Sequence, residues 1–288
     1  MAKDRTTAAR ALTAYLGTPS AVSEPAPVGQ SEADFLAGYD MSAFTPTAVT
    51  VDAVVLTIRQ GQLCVLLIER NGHPYRGCWA LPGGFKEPDE SLDDGVRREL
   101  GEETRIDLDE AHIEQLGTYG DPGRDPRGHV VSVAYVALVP DLPLPTAGSD
   151  ARRARYWPVE DLEGPDAPLL AFDHARIVAD GVERARAKLE YTNLATRFVE
   201  EPFTVSDLRR VYEAVWGVAV HPANFRRKVT SAPGFAAVTG QTVNLGRGRP
   251  AELFERSQPT TLAIPILRHA AARPGDDDHG VAPDGADR

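Results

Sequence analysis

Aliphatic and β-branched residues dominate two runs near the start of the ordered text, TAVTVDAVVLTIR (47–59) and QLCVLLIER (62–70), parted by Gln60-Gly61. Such runs around a two-residue turn predict a β-hairpin. Further strands are expected at Ile113 to Tyr119, His129 to Val139 and around Arg155 to Trp157. Two stretches carry helical spacing instead, Ser91 to Glu103 and Phe172 to Glu190. Strands and helices mixed without regular βαβ alternation predict an α+β sandwich. Past Phe203 the order changes to helix (TVSDLRRVYEAVWG), short helix (HPANFRRKVT), strand (GFAAVTG), Gly-rich basic turn (LGRGRP) and strand (AELFER). That order is the one a winged helix-turn-helix requires.

Length agrees with two domains, since 288 residues exceed the usual size of one. The first thirty residues, rich in Ala, Pro, Ser and Thr, and the acidic stretch 269–288 show no core-forming pattern and are expected to be disordered. The divisions expected are thus an extension over 1–33, a sandwich domain over 34–191, a winged helix over 192–268 and a tail over 269–288. No apolar run reaches the length of a membrane span. Arg10 interrupts what could have been a signal-peptide core, and two cysteines make no disulfide framework, so a cytoplasmic location is expected.

The net charge of −11 speaks at first against a nucleic-acid partner, but it is unevenly spread. Residues 192–268 hold ten basic and six acidic side chains, a net +4, whereas residues 1–191 carry −12. Within HPANFRRKVT, Phe225 and Val229 stand at i and i+4 and face a core, which turns Arg227 outward with Asn224 close by and Arg226 and Lys228 flanking. An outward Arg reads guanine and an Asn adenine in the major groove, while flanking cations meet phosphate. Arg247 and Arg249 alternate with small residues at the expected wing tip. These features suit double-stranded DNA; the alternative is a solvated face on a small oligomerisation domain.

The most informative segment is GFKEPDESLDDGVRRELGEETRI, 84–106. Glu99, Glu102 and Glu103 at i, i+3 and i+4 project from one helical face. Alone they would read as a solvated acidic face; as converging oxygen ligands they suit Mg²⁺ or Mn²⁺ beside substrate phosphates. The whole segment resembles the signature of the Nudix hydrolase superfamily, with Gly84, Glu90, Arg98, Glu99, Leu100, Glu102, Glu103 and Ile106 all in place. Six fixed identities put chance agreement at on the order of one in ten million per frame. The resemblance implies metal ligands at Glu99, Glu102 and Glu103, a loop-fixing pair of Arg98 and Glu90, and close backbone approach to a diphosphate at Gly83 and Gly84.

Arg105 departs from the pattern, which has glycine there. A residue just past a helix end is often left-handed, so Arg105 either costs about 1 to 2 kcal/mol and displaces Glu103 or is absorbed locally. Further candidate ligand contacts are Pro122 and Arg127 in the DPGRDPRG loop and His174 in LAFDHARI. Pro122 is equally a turn residue and His174 equally an ordinary helix position.

Taken together, a Nudix box followed by FTVSDLRRVYEAVWG, NFRRKV and GRGRP resembles the NrtR family of Nudix-related transcriptional regulators of NAD metabolism. That resemblance implies an ADP-ribose-sensing domain joined to a DNA-binding repressor module, acting as a homodimer on operator DNA. The alternative expectation is a plain Mg²⁺-dependent ADP-ribose pyrophosphatase whose C-terminal domain dimerises or covers substrate.

Overall fold

A computed structural model describes residues 31–106, 112–139, 151–244, 246, 250–258 and 260–268. Residues 1–30 of the extension expected over 1–33, the acidic tail, and Arg247 and Arg249 of the wing tip lie outside the described residues.

Of the described residues, 31–46 belong to one compact unit and those from Thr47 onward to a second. In the first, a short helix, α1 (Glu32–Gly38), is capped by the Ser31 hydroxyl, which accepts the Asp34 amide. Phe35 contacts Tyr39, and Tyr39 stacks on Phe44, with ring centroids 5.4 and 6.0 Å apart. The sequence pattern did not lead us to expect this helix.

The second unit opens with the expected hairpin, β1 (Ala48–Arg59) and β2 (Gln62–Arg70). Short strands β3 (Trp79–Ala80) and β4 (Gly83–Phe85) follow, then helix α2 (Leu92–Thr104). Strands β5 (His112–Tyr119), β6 (Val130–Leu138) and β7 (Ala151–Pro158) complete a seven-stranded sheet, and helix α3 (His174–Tyr191) closes it. β1 lies centrally, parallel to β6 and antiparallel to β2 and β4, and alternates its side chains between two covered faces. Val51, Ala53 and Val55 join Val96 and Leu100 of α2. Val54 and Leu56 join Ile177, Val178 and Val182 of α3. Helices on both faces make the expected sandwich, and a strand buried on both faces reads as a continuous apolar run.

The winged helix consists of α4 (Val205–Trp216), α5 (Pro222–Ser231), β8 (Ala236–Val243) and β9 (Ala251–Arg256). A capping box between Thr204 and Asp207 starts α4, and left-handed Gly217 ends it. Its core is continuous with the α3 face of the sheet: Leu208, Val211, Tyr212 and Trp216 of α4 belong to the same buried cluster as Val54, Leu56 and Leu189. No break in compactness falls near residue 191. Backbone carbonyls of α3 accept side-chain donors of α4, Leu189 from the Tyr212 hydroxyl at 3.0 Å and Arg186 from the Trp216 indole at 3.3 Å.

Candidate functional site

Ser91 caps α2 by accepting the Asp94 amide at 3.1 Å, and Val96 and Leu100 anchor one side of that helix in the core. The remaining side meets a cavity of about 680 Å³, the right size for a nucleotide-sized molecule. Arg98, Glu99, Glu103, Gly83, Gly84, Arg127 and His174 line it. Glu90, Glu102 and Pro122 do not, and Pro122 is exposed on its loop.

Arg98 organises the acidic face. Its Nε and Nη2 donate to both oxygens of Glu90 at 2.9 Å, and Nη2 also donates to the Phe85 carbonyl. Its Nη1 donates to Glu99 at 2.9 Å and to Glu102 at 3.3 Å. The Arg98 hydrogen bond, aided by the Glu87 amide, brings the Glu90 carboxyl down to about 2, so the pair that fixes the loop stays ionised. Glu99 shifts the other way, raised chiefly by burial against the opposing pull of Arg98.

Two glycines allow the loop to approach these carboxylates. A Cβ on Gly84 would lie 2.4 Å from a Glu99 oxygen, and one on Gly83, whose φ is 157°, would lie 2.2 Å from the Val51 carbonyl. The Gly83 amide donates to Glu103 at 2.8 Å. Arg105 adopts φ 57° and ψ 27°, the left-handed geometry expected, and its amide still caps the Gly101 carbonyl. Glu103 meanwhile remains 8% exposed on its Gly83 contact, so the helix end absorbs the arginine without losing this carboxylate from the site.

Among the described residues no three His, Cys, Asp or Glu side chains are gathered to hold a metal ion. The reason is visible in the bonds just given, since Glu103 is turned to a backbone amide and Glu99 and Glu102 share Arg98. The donor chemistry nonetheless fits a hard divalent cation, because every donor is a carboxylate oxygen and burial of Glu99 outweighs the compensation that Arg98 gives it.

Arg127 and His174, both candidates from the sequence, line the same cavity as Arg70, Arg124 and Phe172, which motif spacing did not reveal. Phe172, at φ 53°, contacts Tyr75, itself at φ 60°, with centroids 4.8 Å apart. The guanidinium of Arg70 sits 4.9 Å from the Phe172 centroid and that of Arg127 5.6 Å, with Arg127 also 4.9 Å from Phe85. Bulky residues at positive φ are outliers that persist where surrounding structure enforces them, often at ligand sites. Arg124, with a 5% exposed side chain, donates to both Asp173 oxygens at 2.9 and 2.6 Å. His174 is buried; its Nδ1 accepts the Leu81 amide at 2.9 Å, which leaves the proton of the neutral ring on Nε2, 3.7 Å from Asp52. Burial pushes the imidazole below its usual pKa, so it is a fixed neutral acceptor in the wall of the cavity.

In the winged helix, Phe225 and Val229 are buried while Asn224, Arg226 and Arg227 are exposed and Lys228 half-buried. Arg227 donates to Asn224 at 3.4 Å, and among the described residues no carboxylate pairs with Arg226, Arg227 or Lys228. Arg209 and Arg210 of α4, by contrast, are paired with Glu213 and Asp207.

Comparison with known proteins gives two family matches, a NUDIX domain over residues 46–181 and an NrtR DNA-binding winged helix domain over 195–255. The "ADPR responsive transcriptional repressor NtrR" of Acinetobacter baylyi is 34% identical over 226 residues, covering 78% of this chain and 88% of that one. An "ADP-ribose pyrophosphatase" of Methanocaldococcus jannaschii is 40% identical over 133 residues, 46% of this chain and 72% of its own. The crystal structure of Shewanella oneidensis NrtR complexed with a 27mer DNA superposes with a TM-score of 0.59 at 37% identity, covering 73% of this chain and 93% of that one.

Proposed function

Because this chain belongs to the NrtR family, we propose that it is an ADP-ribose-responsive repressor that binds operator DNA of NAD-metabolism genes as a homodimer. The observation that carries the reading is the outward face of α5, where Asn224, Arg226 and Arg227 are exposed with no carboxylate among the described residues to neutralise the cations. An unpaired basic face on the second helix of a helix-turn-helix is what DNA contact needs, since phosphate contact gives affinity and base contact gives choice. Arg227 and Asn224 read base edges; Arg226 and Lys228, with Arg247 and Arg249 in the wing, hold phosphate.

The cavity receives the nucleotide. Gly83 and Gly84 bring backbone to the diphosphate, while Arg70, Arg127 and Phe172 supply positive charge and an aromatic face to the rest of the molecule, and His174 fixes the wall. Glu99, Glu102 and Glu103 are the residues that would hold Mg²⁺ or Mn²⁺. Such an ion supplies charge neutralisation at the phosphates and a more acidic bound water. Arg98 and Glu90 keep the loop and the helix in register for that purpose. The three glutamates, with Glu103 in place despite Arg105, favour a second activity in the same cavity, hydrolysis of ADP-ribose to AMP and ribose 5-phosphate.

The deciding experiment is an electrophoretic shift on the promoters of NAD-biosynthesis genes from the source genome, with and without ADP-ribose. Arg227→Ala should cost about 1 to 3 kcal/mol and relax specificity at one base pair. If the wild-type protein binds no DNA at low salt yet turns over ADP-ribose, the chain is a pyrophosphatase and the repressor reading fails.

A further inference from the structure

Asp173 stands at the N-cap of α3, where aspartate is among the best capping residues, yet its carboxylate makes no capping hydrogen bond. Both oxygens are instead taken by Arg124. Arg124 lines the cavity and comes from the loop between β5 and β6, which is further tied to α3 by Asp121–Arg176 at 2.7 Å, while Tyr119 at the end of β5 donates to Asp180 at 2.9 Å. The far half of α3 belongs to the DNA-reading side. Arg186 donates to the Val215 carbonyl of α4, Leu189 accepts the Tyr212 hydroxyl, and the carbonyls of Glu190 and Tyr191 accept the amides of Ile266 and Leu262. One helix of 18 residues, about 27 Å long, therefore runs from the cavity to the winged helix.

Resting on the ADP-ribose reading above, we propose that Arg124 and Asp173 form a latch that ligand opens. A phosphate entering the cavity competes with Asp173 for the Arg124 guanidinium, since both are oxyanions suited to its planar fork. Once released, Asp173 has a second partner ready, the amides of the first turn of its own helix. The carboxylate thus has two alternative sets of hydrogen bonds, and α3 is held to the β5–β6 loop through both Asp173 and Arg176 in one and through Arg176 alone in the other. Packed elements shift between discrete arrangements, so release at the cavity end moves the winged helix bonded to the other end. Arg124 is a ligand contact, and Asp173 is a positioning residue that acts through it.

The test measures binding of the α,β-methylene analogue of ADP-ribose, which resists hydrolysis, and of a duplex selected by the wild-type protein, each with and without the other. In the wild type the two ligands should weaken each other by one common factor, at least fivefold. Asp173→Asn keeps a capping side chain but weakens the hold on Arg124. It should therefore imitate bound ligand: DNA affinity of the free protein falls at least fivefold, analogue affinity rises, and the mutual factor drops below two. Arg124→Gln should lower DNA affinity as well, but with analogue affinity reduced at least tenfold. A merely damaged fold weakens both ligands in both variants, so a loss of analogue affinity in Asp173→Asn overturns the latch. Wild-type DNA affinity and an unchanged mutual factor in that variant overturn it equally. A wild type that shows DNA binding but no mutual effect defeats the ADP-ribose reading itself, and the latch with it.

Discussion

Replacing Arg105 by glycine isolates the energy stored at the end of α2. The residue holds φ 57° and ψ 27°, a conformation that costs an L-residue about 1 to 2 kcal/mol and glycine nothing. Against this, glycine brings a more flexible unfolded chain, which costs about 0.5 to 1 kcal/mol. The Arg105 side chain is exposed and makes no described hydrogen bond or ion pair that the substitution would remove. The net gain is about 0.5 to 1 kcal/mol, a rise of roughly 1 to 4 °C in Tm for a unit of this size. Glu103 already accepts the Gly83 amide on its carboxylate in the presence of Arg105, so any ADP-ribose turnover should stay within twofold of wild type. Calorimetric melts and chromatographic measurement of AMP formed from ADP-ribose, on the same preparations, read the two quantities. A Tm that does not rise would refute the strain argument, and turnover up tenfold would show that the arginine had displaced Glu103 after all.

Two further outcomes follow from buried polar groups. His174 is held neutral by burial, which outweighs the pull of Asp52 and Asp173 and is aided by Arg124 and Arg70. The unfolded chain takes up a proton near pH 6.5 that the folded imidazole refuses, so stability is fully present above that value and falls as pH drops below it. His174→Gln, whose amide oxygen can still accept the Leu81 amide, should flatten the slope of Tm between pH 5 and 7; an unchanged slope assigns the pH dependence elsewhere. Asn193, buried, donates to the carbonyls of Gln258 and Phe235 and accepts the Thr260 amide, so Asn193→Ala should destabilise by about 2 to 4 kcal/mol in denaturant titrations. A cost under 0.5 kcal/mol would mean that solvent replaces those bonds.

The hairpin was readable because aliphatic and β-branched runs on either side of a Gln60-Gly61 turn are local signals, and β2 falls on QLCVLLIER as expected. The same holds for Phe225 and Val229, whose spacing alone predicts which side of α5 is covered. Arg70, Arg124 and Phe172 escaped notice because they come from a strand end and two separate loops, and only the sheet order brings them to one cavity. Arg124 has no periodicity to mark it in DPGRDPRG, and of the two candidates chosen in that loop Arg127 lines the cavity and Pro122 does not. The left-handed backbone at Phe172 and Tyr75 leaves no trace in composition, since neither residue type favours it. At Arg105 the expectation succeeded because a fixed motif position exposes a missing glycine.

The shared core of sheet and winged helix has a practical corollary for anyone who would recombine such proteins. Tyr212 and Trp216 are buried partly against α3, so a fragment beginning after Tyr191 would present a raw apolar surface to water, and a fragment ending there would do the same from the other side. Neither half is a cassette. A chimera that borrows this reader for another sensor must carry α3 with it, and the splice belongs ahead of Asp173.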